Sequence, residues 1–299
     1  MALPLPTRRN DDPLRGILLT LGAVGLFSVS DALAKLLGQT LPPVEIAWLR
    51  YLVFVALTAI PLMRRGGAGL LRSRAPALQG LRAVGVVGSA VFFILALQRL
   101  PLAEATAINF VSPAFITALS IVVLGEVVGW RRWTALAVGL LGVLIVIRPG
   151  SDAFQPAALL PVLSAAFWAL AAVMTRRMAG IDPPATTLVW TAGIGFLLLS
   201  AILPFSAVVP TWREIGLGLL IGLVSSAAQW VVVLAYRIAP ASVLAPFSYA
   251  QLLTSTALGA ALFAAWPDAW TLLGAAVIIG SGLYTAHRER VRAREKLRR

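Results

Sequence analysis

The sequence predicts an all-α polytopic membrane protein with ten transmembrane helices in two inverted five-helix repeats. Three observations predict it. The chain of 299 residues is 59% hydrophobic and only 12% charged, against about 25% charged in an ordinary soluble domain. Apolar runs long enough to cross a bilayer, about 20 residues each, follow one another with short breaks. The breaks coincide with proline and arginine clusters, where helices end because φ is restricted and charge is costly to bury.

Ten spans result: 16–37, 44–63, 78–98, 102–124, 133–148, 157–176, 184–204, 214–235, 241–263 and 270–286. Pro42-Pro43, Arg64-Arg65, Arg131-Arg132, Arg176-Arg177, Pro183-Pro184 and Pro267 are among the separators. The basic residues alternate in number from one set of breaks to the other. With the N-terminus inside, Arg8, Arg9, Arg15, Arg64, Arg65, Arg72, Arg74, Arg82, Arg131, Arg132, Arg176, Arg177, Arg237 and the tail fall inside. Only Lys35, Arg50, Arg99, Arg148 and Arg213 fall on the other side. This positive-inside bias places both termini in the cytoplasm and makes the span count even. Residues 1–15 form a polar tail without a cleavable signal, and 287–299 a basic tail on anionic headgroups. The net charge of +13 is gathered at span ends, a membrane pattern that argues against nucleic acid.

An internal echo divides the chain. Ile94–Phe115 and Val232–Leu253 both run from an apolar span through arginine and a Pro/Ala-rich turn into a span with early polar residues. The halves are 16–150 and 155–286. Five spans is an odd number, so the halves enter the membrane from opposite sides, an arrangement that points to alternating access around a site between them.

Several residues carry this chemistry. Asp31 and Lys35 are four apart, on one helix face and within pairing reach, with Arg50 at a similar depth. Ionisable groups inside spans usually face the bundle interior, so Asp31 and Lys35 are candidate substrate ligands and Asp31 a candidate coupling site. Against this stands a neutralising cluster that locks the first two helices. Polar and aromatic positions at helical spacing extend the candidate site to Phe92, Asn109, Ser112, Trp168, Gln229, Ser248, Tyr249 and Gln251. Pro113 and Pro246 occupy matching places in the two halves and are candidate hinges. No phosphate-binding glycine loop, no His-Glu-x-x-His and no metal-ligand cluster is present, and cysteine is absent. The expectation is therefore no enzyme, no cofactor, no metal and no ATPase subunit.

The chain resembles the ten-span EamA-type exporters of the drug/metabolite transporter superfamily. The resemblance rests on Asp31-x-x-x-Lys35, Pro43 to Tyr51, Ala96 to Thr106, Ser112-Pro113, Leu124-Gly125-Glu126 and Gly139-x-x-Gly142, and covers about residues 15–286. One departure is Ala264 or Ala265 where the first half has Glu126. The resemblance implies a secondary transporter of the bacterial inner membrane. The chain looks most like the amino-acid exporters, including those for aromatic amino acids, so a small molecule, an amino acid moved outward, is the expected cargo. A metabolite or nucleotide-derivative exchanger, a drug exporter of the same fold and a non-transporting membrane subunit are the alternatives.

Overall fold

The computed structural model describes residues 12–63, 67–125, 129–152, 154–239 and 241–297. Most of the N-terminal tail, Arg64, Arg65 and Glu126 lie outside the described residues. Among the described residues there is no strand. Twelve α-helices run α1 (Pro13–Leu37), α2 (Pro43–Leu62), α3 (Pro76–Arg99), α4 (Leu102–Asn109), α5 (Ser112–Leu124), α6 (Trp130–Ile147), α7 (Leu159–Arg177), α8 (Pro184–Ile202), α9 (Trp212–Ile238), α10 (Ala241–Ser248), α11 (Ala250–Phe263) and α12 (Ala269–Leu297).

Four of them open on proline, which suits the first turn because its missing N–H would have no helical partner there. Asp12 caps α1 by accepting from the Arg15 amide, and Thr211 with Glu214 forms a capping box at α9. Seven stretches are long and apolar enough to span a membrane alone, Leu102–Leu124 counting as one, and α6 and α12 contribute shorter apolar stretches. With α10 and α11 as one further crossing, the chain crosses ten times, five in each half. The helix α12 continues through the basic tail to Leu297.

The fourth crossing of each half is broken. One break falls at Phe110-Val111 between α4 and α5, the other at Tyr249 between α10 and α11. Pro113 sits in the first turn of α5 and Pro246 inside α10, where each removes a backbone donor.

The packing is reciprocal between the halves. First lies against third in both senses, α1 along α9 and α7 along α3. Second meets second (α2 with α8), fourth meets fourth (α4 with α11) and fifth meets fifth (α6 with α12). Small residues let these backbones touch, as close helix packing in lipid requires. A Cβ on Gly85 would lie 2.8 Å from the Phe167 carbonyl oxygen and the Ala171 amide of α7. A Cβ on Gly142 would lie 2.9 Å from the Gly274 oxygen, and one on Gly274 would lie 2.6 Å from the Gly142 oxygen.

At the end where α1 turns into α2, Leu37, Ile46, Leu97, Leu100 and Leu102 are all fully buried and form a plug. At the other end Asp182, in the turn before α8, holds the start of α3. It accepts from Ser73 Oγ at 2.5 Å, the Arg74 amide at 2.9 Å and Gln79 Nε2 at 2.8 Å. These hydrogen bonds, Ser73 first, hold its carboxyl below the usual carboxylate range. A depressed folded pKa adds stability that is fully present above the unfolded value and is lost as pH falls through the folded one. The melting temperature of purified wild type is therefore expected to exceed that of Asp182→Asn at neutral pH and to converge with it in acid. A constant gap across that range would remove Asp182 from the account.

Candidate functional site

A cavity of about 180 Å³ lies midway along the helices, among α1, α2, α3, α7, α8 and α9. Its wall is Phe27, Arg50, Tyr51, Phe54, Arg82, Val86, Trp168, Leu188, Thr191, Ser225, Ser226 and Gln229. Helical spacing explains the set: Arg50 and Phe54, Arg82 and Val86, Ser225 and Gln229 are each four apart and share a face. Both halves contribute. The plug of leucines closes one end, while Arg82, Leu188 and Thr191 lie within two turns of the helix starts at the opposite end. The cavity therefore reaches toward the end that carries both described termini. A larger space, about 410 Å³, lies at the edge of the bundle between the start of α2 and residues 203–215. Its wall is almost wholly apolar, and it lies apart from the cavity cations.

Two guanidiniums face the central cavity. Arg82 donates from Nε to Thr175 Oγ1 at 2.7 Å and from Nη1 to Thr191 Oγ1. Each threonine hydroxyl spends its own proton on its helix, Thr175 on the Ala171 carbonyl and Thr191 on that of Thr187, both at 2.7 Å. Their lone pairs are thus turned to the arginine. Arg50 makes no hydrogen bond or ion pair among the described residues, and it is the cation whose charge acts on Asp31. The Tyr51 hydroxyl is buried without a hydrogen-bond partner among them.

Of the positions singled out from the sequence, Arg50, Trp168 and Gln229 line this cavity. Asp31 sits beside it and accepts from Gln251 Nε2 at 3.4 Å, a long contact between α1 and α11. Lys35 departs from expectation. Asp31 and Lys35 form no ion pair among the described residues, whereas Arg148 and Asp268 pair at 2.7 Å. The Lys35 ammonium donates instead to the Leu97 and Leu100 carbonyls, each at 2.6 Å, and stands 5.5 Å from the Phe263 ring centre. The last carbonyls of a helix lack helical partners and carry its negative dipole end, so the end of α3 draws the ammonium away from Asp31. Glu45 is buried and accepts from the Val208 amide at 3.1 Å.

The remaining positions gather elsewhere. Phe92 stacks on Phe167 at 5.4 Å, between α3 and α7. Tyr249 stacks on Phe110 at 5.0 Å, so the two helix breaks touch ring to ring. Asn109 ends α4 with its Oδ1 buried and unpaired among the described residues. Ser112 opens α5 and Ser248 closes α10, both half-buried beside those breaks. Arg82 and Tyr51 escaped the sequence reading. The signal for Arg82 was its place with Gln79 on one face, inside the apolar run. Among the described residues no group of three His, Cys, Asp or Glu could hold a metal ion.

Comparison with known proteins agrees with this architecture. A riboflavin transporter of Rhizobium johnstonii is 34% identical over 247 residues, 81% of this chain and 80% of that one. A riboflavin transporter of Vibrio cholerae is 30% identical over 95% of this chain and 97% of its own. An S-adenosylmethionine uptake transporter of Rickettsia prowazekii is 24% identical over 93% and 94%. A solved structure, 23% identical, superposes with a TM-score of 0.64 over 92% of this chain and 98% of that one, which speaks for the fold alone. These relatives carry small molecules, and the chain is a multi-pass membrane transporter. The EamA-like transporter family profile matches residues 14–148 and again 155–285, and the chain belongs to that family.

Proposed function

We propose that the chain takes up a ring-bearing metabolite of the riboflavin type through the central cavity, by alternating access. The membrane is the bacterial inner membrane, with both termini cytoplasmic, as the arginine distribution supports. The repeats are 16–150 and 155–286, with Pro113 and Pro246 as hinges at the two breaks, and Asp31 as the coupling site.

One observation carries the substrate class: aromatic faces and side-chain donors share one chamber. Phe27, Phe54 and Trp168 offer flat apolar surface, while Arg50, Arg82, Gln229 and the serines offer hydrogen bonds. A flavin needs both, stacking for its ring system and donors for its carbonyls and ring nitrogens. The cavity volume is below the roughly 300 Å³ of typical ligand pockets, so this conformation encloses only part of such a molecule. The amino acid moved outward that the sequence suggested draws no support from the relatives. Lys35, bound to carbonyls, is also turned away from holding a zwitterion with Asp31. The uptake direction draws on the Rickettsia relative, whose name specifies uptake.

The test is riboflavin entry into proteoliposomes holding the purified protein, beside Trp168→Ala. Saturable entry is expected, with at least a tenfold lower rate in the variant at equal protein incorporation. Entry no faster than in empty liposomes would end the flavin reading.

A further inference from the structure

We infer that Arg50 and Arg82 make the central cavity selective by charge: it accepts neutral or anionic substrates with an acceptor-rich edge and rejects cations. The inference rests on the ring-bearing substrate proposed above and adds which charge that substrate carries.

Three observations support it. Two guanidiniums face the chamber and, among the described residues, one carboxylate, Asp31, stands close to it, so the lining carries an excess of positive charge. Arg82 is anchored by two neutral hydroxyls from α7 and α8, which orient the group without cancelling its charge. Arg50 donates to nothing among the described residues, and the neighbouring Tyr51 hydroxyl is also unpaired and buried. An arginine carries five donors in a planar fork, suited to carbonyl, carboxylate or phosphate oxygens. Inside a membrane protein of low dielectric, unbalanced charge repels a like-charged ligand strongly.

The division of labour follows from the anchoring. Arg82 has a fixed position, since both its hydroxyl partners are themselves held by helical carbonyls. Arg50 is the group left to engage the ligand. Removing its charge therefore breaks no hydrogen bond or ion pair among the described residues; it takes away only the charge that acts on Asp31, so each ligand-induced shift is read against the melting temperature of the same empty variant.

The experiment measures ligand-induced shifts in the melting temperature of the purified full chain, for wild type and Arg50→Gln. Four ligands are compared at matched concentrations: riboflavin, riboflavin 5′-phosphate, adenosine 5′-monophosphate and the sulfonium cation S-adenosylmethionine. Wild type is expected to bind both flavins and to show no shift with the sulfonium. Arg50→Gln is expected to bind the flavin phosphate at least tenfold more weakly, with a smaller loss for riboflavin. If S-adenosylmethionine stabilises wild type as well as the flavins do, the charge rule is overturned. An unchanged phosphate-to-riboflavin ratio in the variant overturns it too. If the flavins fail while the adenosine phosphate binds and the sulfonium does not, the flavin reading falls and the charge rule stands. If none of the four binds, both fall.

Discussion

Gly142→Val is expected to cost most of the folded protein. At this position α6 meets α12 backbone to backbone: the added Cβ would lie 2.9 Å from the Gly274 oxygen and 2.8 Å from Ile278 Cγ1. A flexible side chain could give way, but a helical carbonyl cannot move without moving its helix. Overpacking of this kind costs typically 1–3 kcal/mol and occasionally more, and here the expected figure is about 3 kcal/mol or more. That is a large share of the roughly 5–15 kcal/mol that stabilises a folded protein. Gly193→Val is the matched comparison, because nothing lies within 4 Å of a Cβ there. Melting temperature and the yield of monodisperse protein in detergent report the difference. Equal melting of the two variants would mean that α6 and α12 do not pack as described.

Lys35→Met is expected to loosen the plugged end. In wild type one ammonium satisfies two carbonyls at the end of α3 and faces Phe263 at the end of α11. It thereby ties α1 of the first half to a helix of each half. Without it, two buried carbonyls lose their partner, each at a cost of about 1–3 kcal/mol. The arrangement in which these ends are together bears that cost, so the population shifts toward separation. The chain contains no cysteine, which allows one reporter to be read without background. Leu41, 3% exposed beside the plug, serves as Leu41→Cys. Maleimide labelling of this cysteine is expected to be at least tenfold faster with Lys35→Met than with Lys35 present. Identical rates would assign Lys35 no part in holding the end shut.

The spans were legible because crossing a bilayer imposes a length and forbids charge, and both leave marks in sequence. Even the broken crossings were signalled, by Pro113 and Pro246. What sequence could not reach was the partner of each polar group. Asp31 and Lys35 share a helix face, but proximity along one helix competes with whatever a neighbouring helix presents, and the end of α3 presents carbonyls. Arg82 stands seven positions into α3 and was counted among the cytoplasmic charges. Its inward course depends on Thr175 and Thr191, 93 and 109 residues away, and no local pattern encodes that. Phe110 and Tyr249 meet only because the fold superimposes two breaks. Trp168 and Gln229, by contrast, stand on polar or aromatic stripes whose face could be read from spacing alone, and both line the cavity.

The pairing of α1 with α9 and α11 has a consequence for how the protein is made. Ser28 of α1, fully buried, finds its hydroxyl partners among the described residues on Thr254 and Ser255 of α11, and the Asp12 amide finds its own on the Ile238 carbonyl. A ribosome adding about 5–20 residues each second needs roughly 10–40 s to reach those segments after finishing α1. Through that interval the first helix sits in the bilayer with the Ser28 hydroxyl lacking its partners and Asp31 lacking Gln251. Such a helix stays beside the insertion machinery, or beside whatever shields polar groups from lipid, until the second half arrives. The first half cannot mature on its own, and truncation after α6 should leave α1 a substrate for membrane quality control.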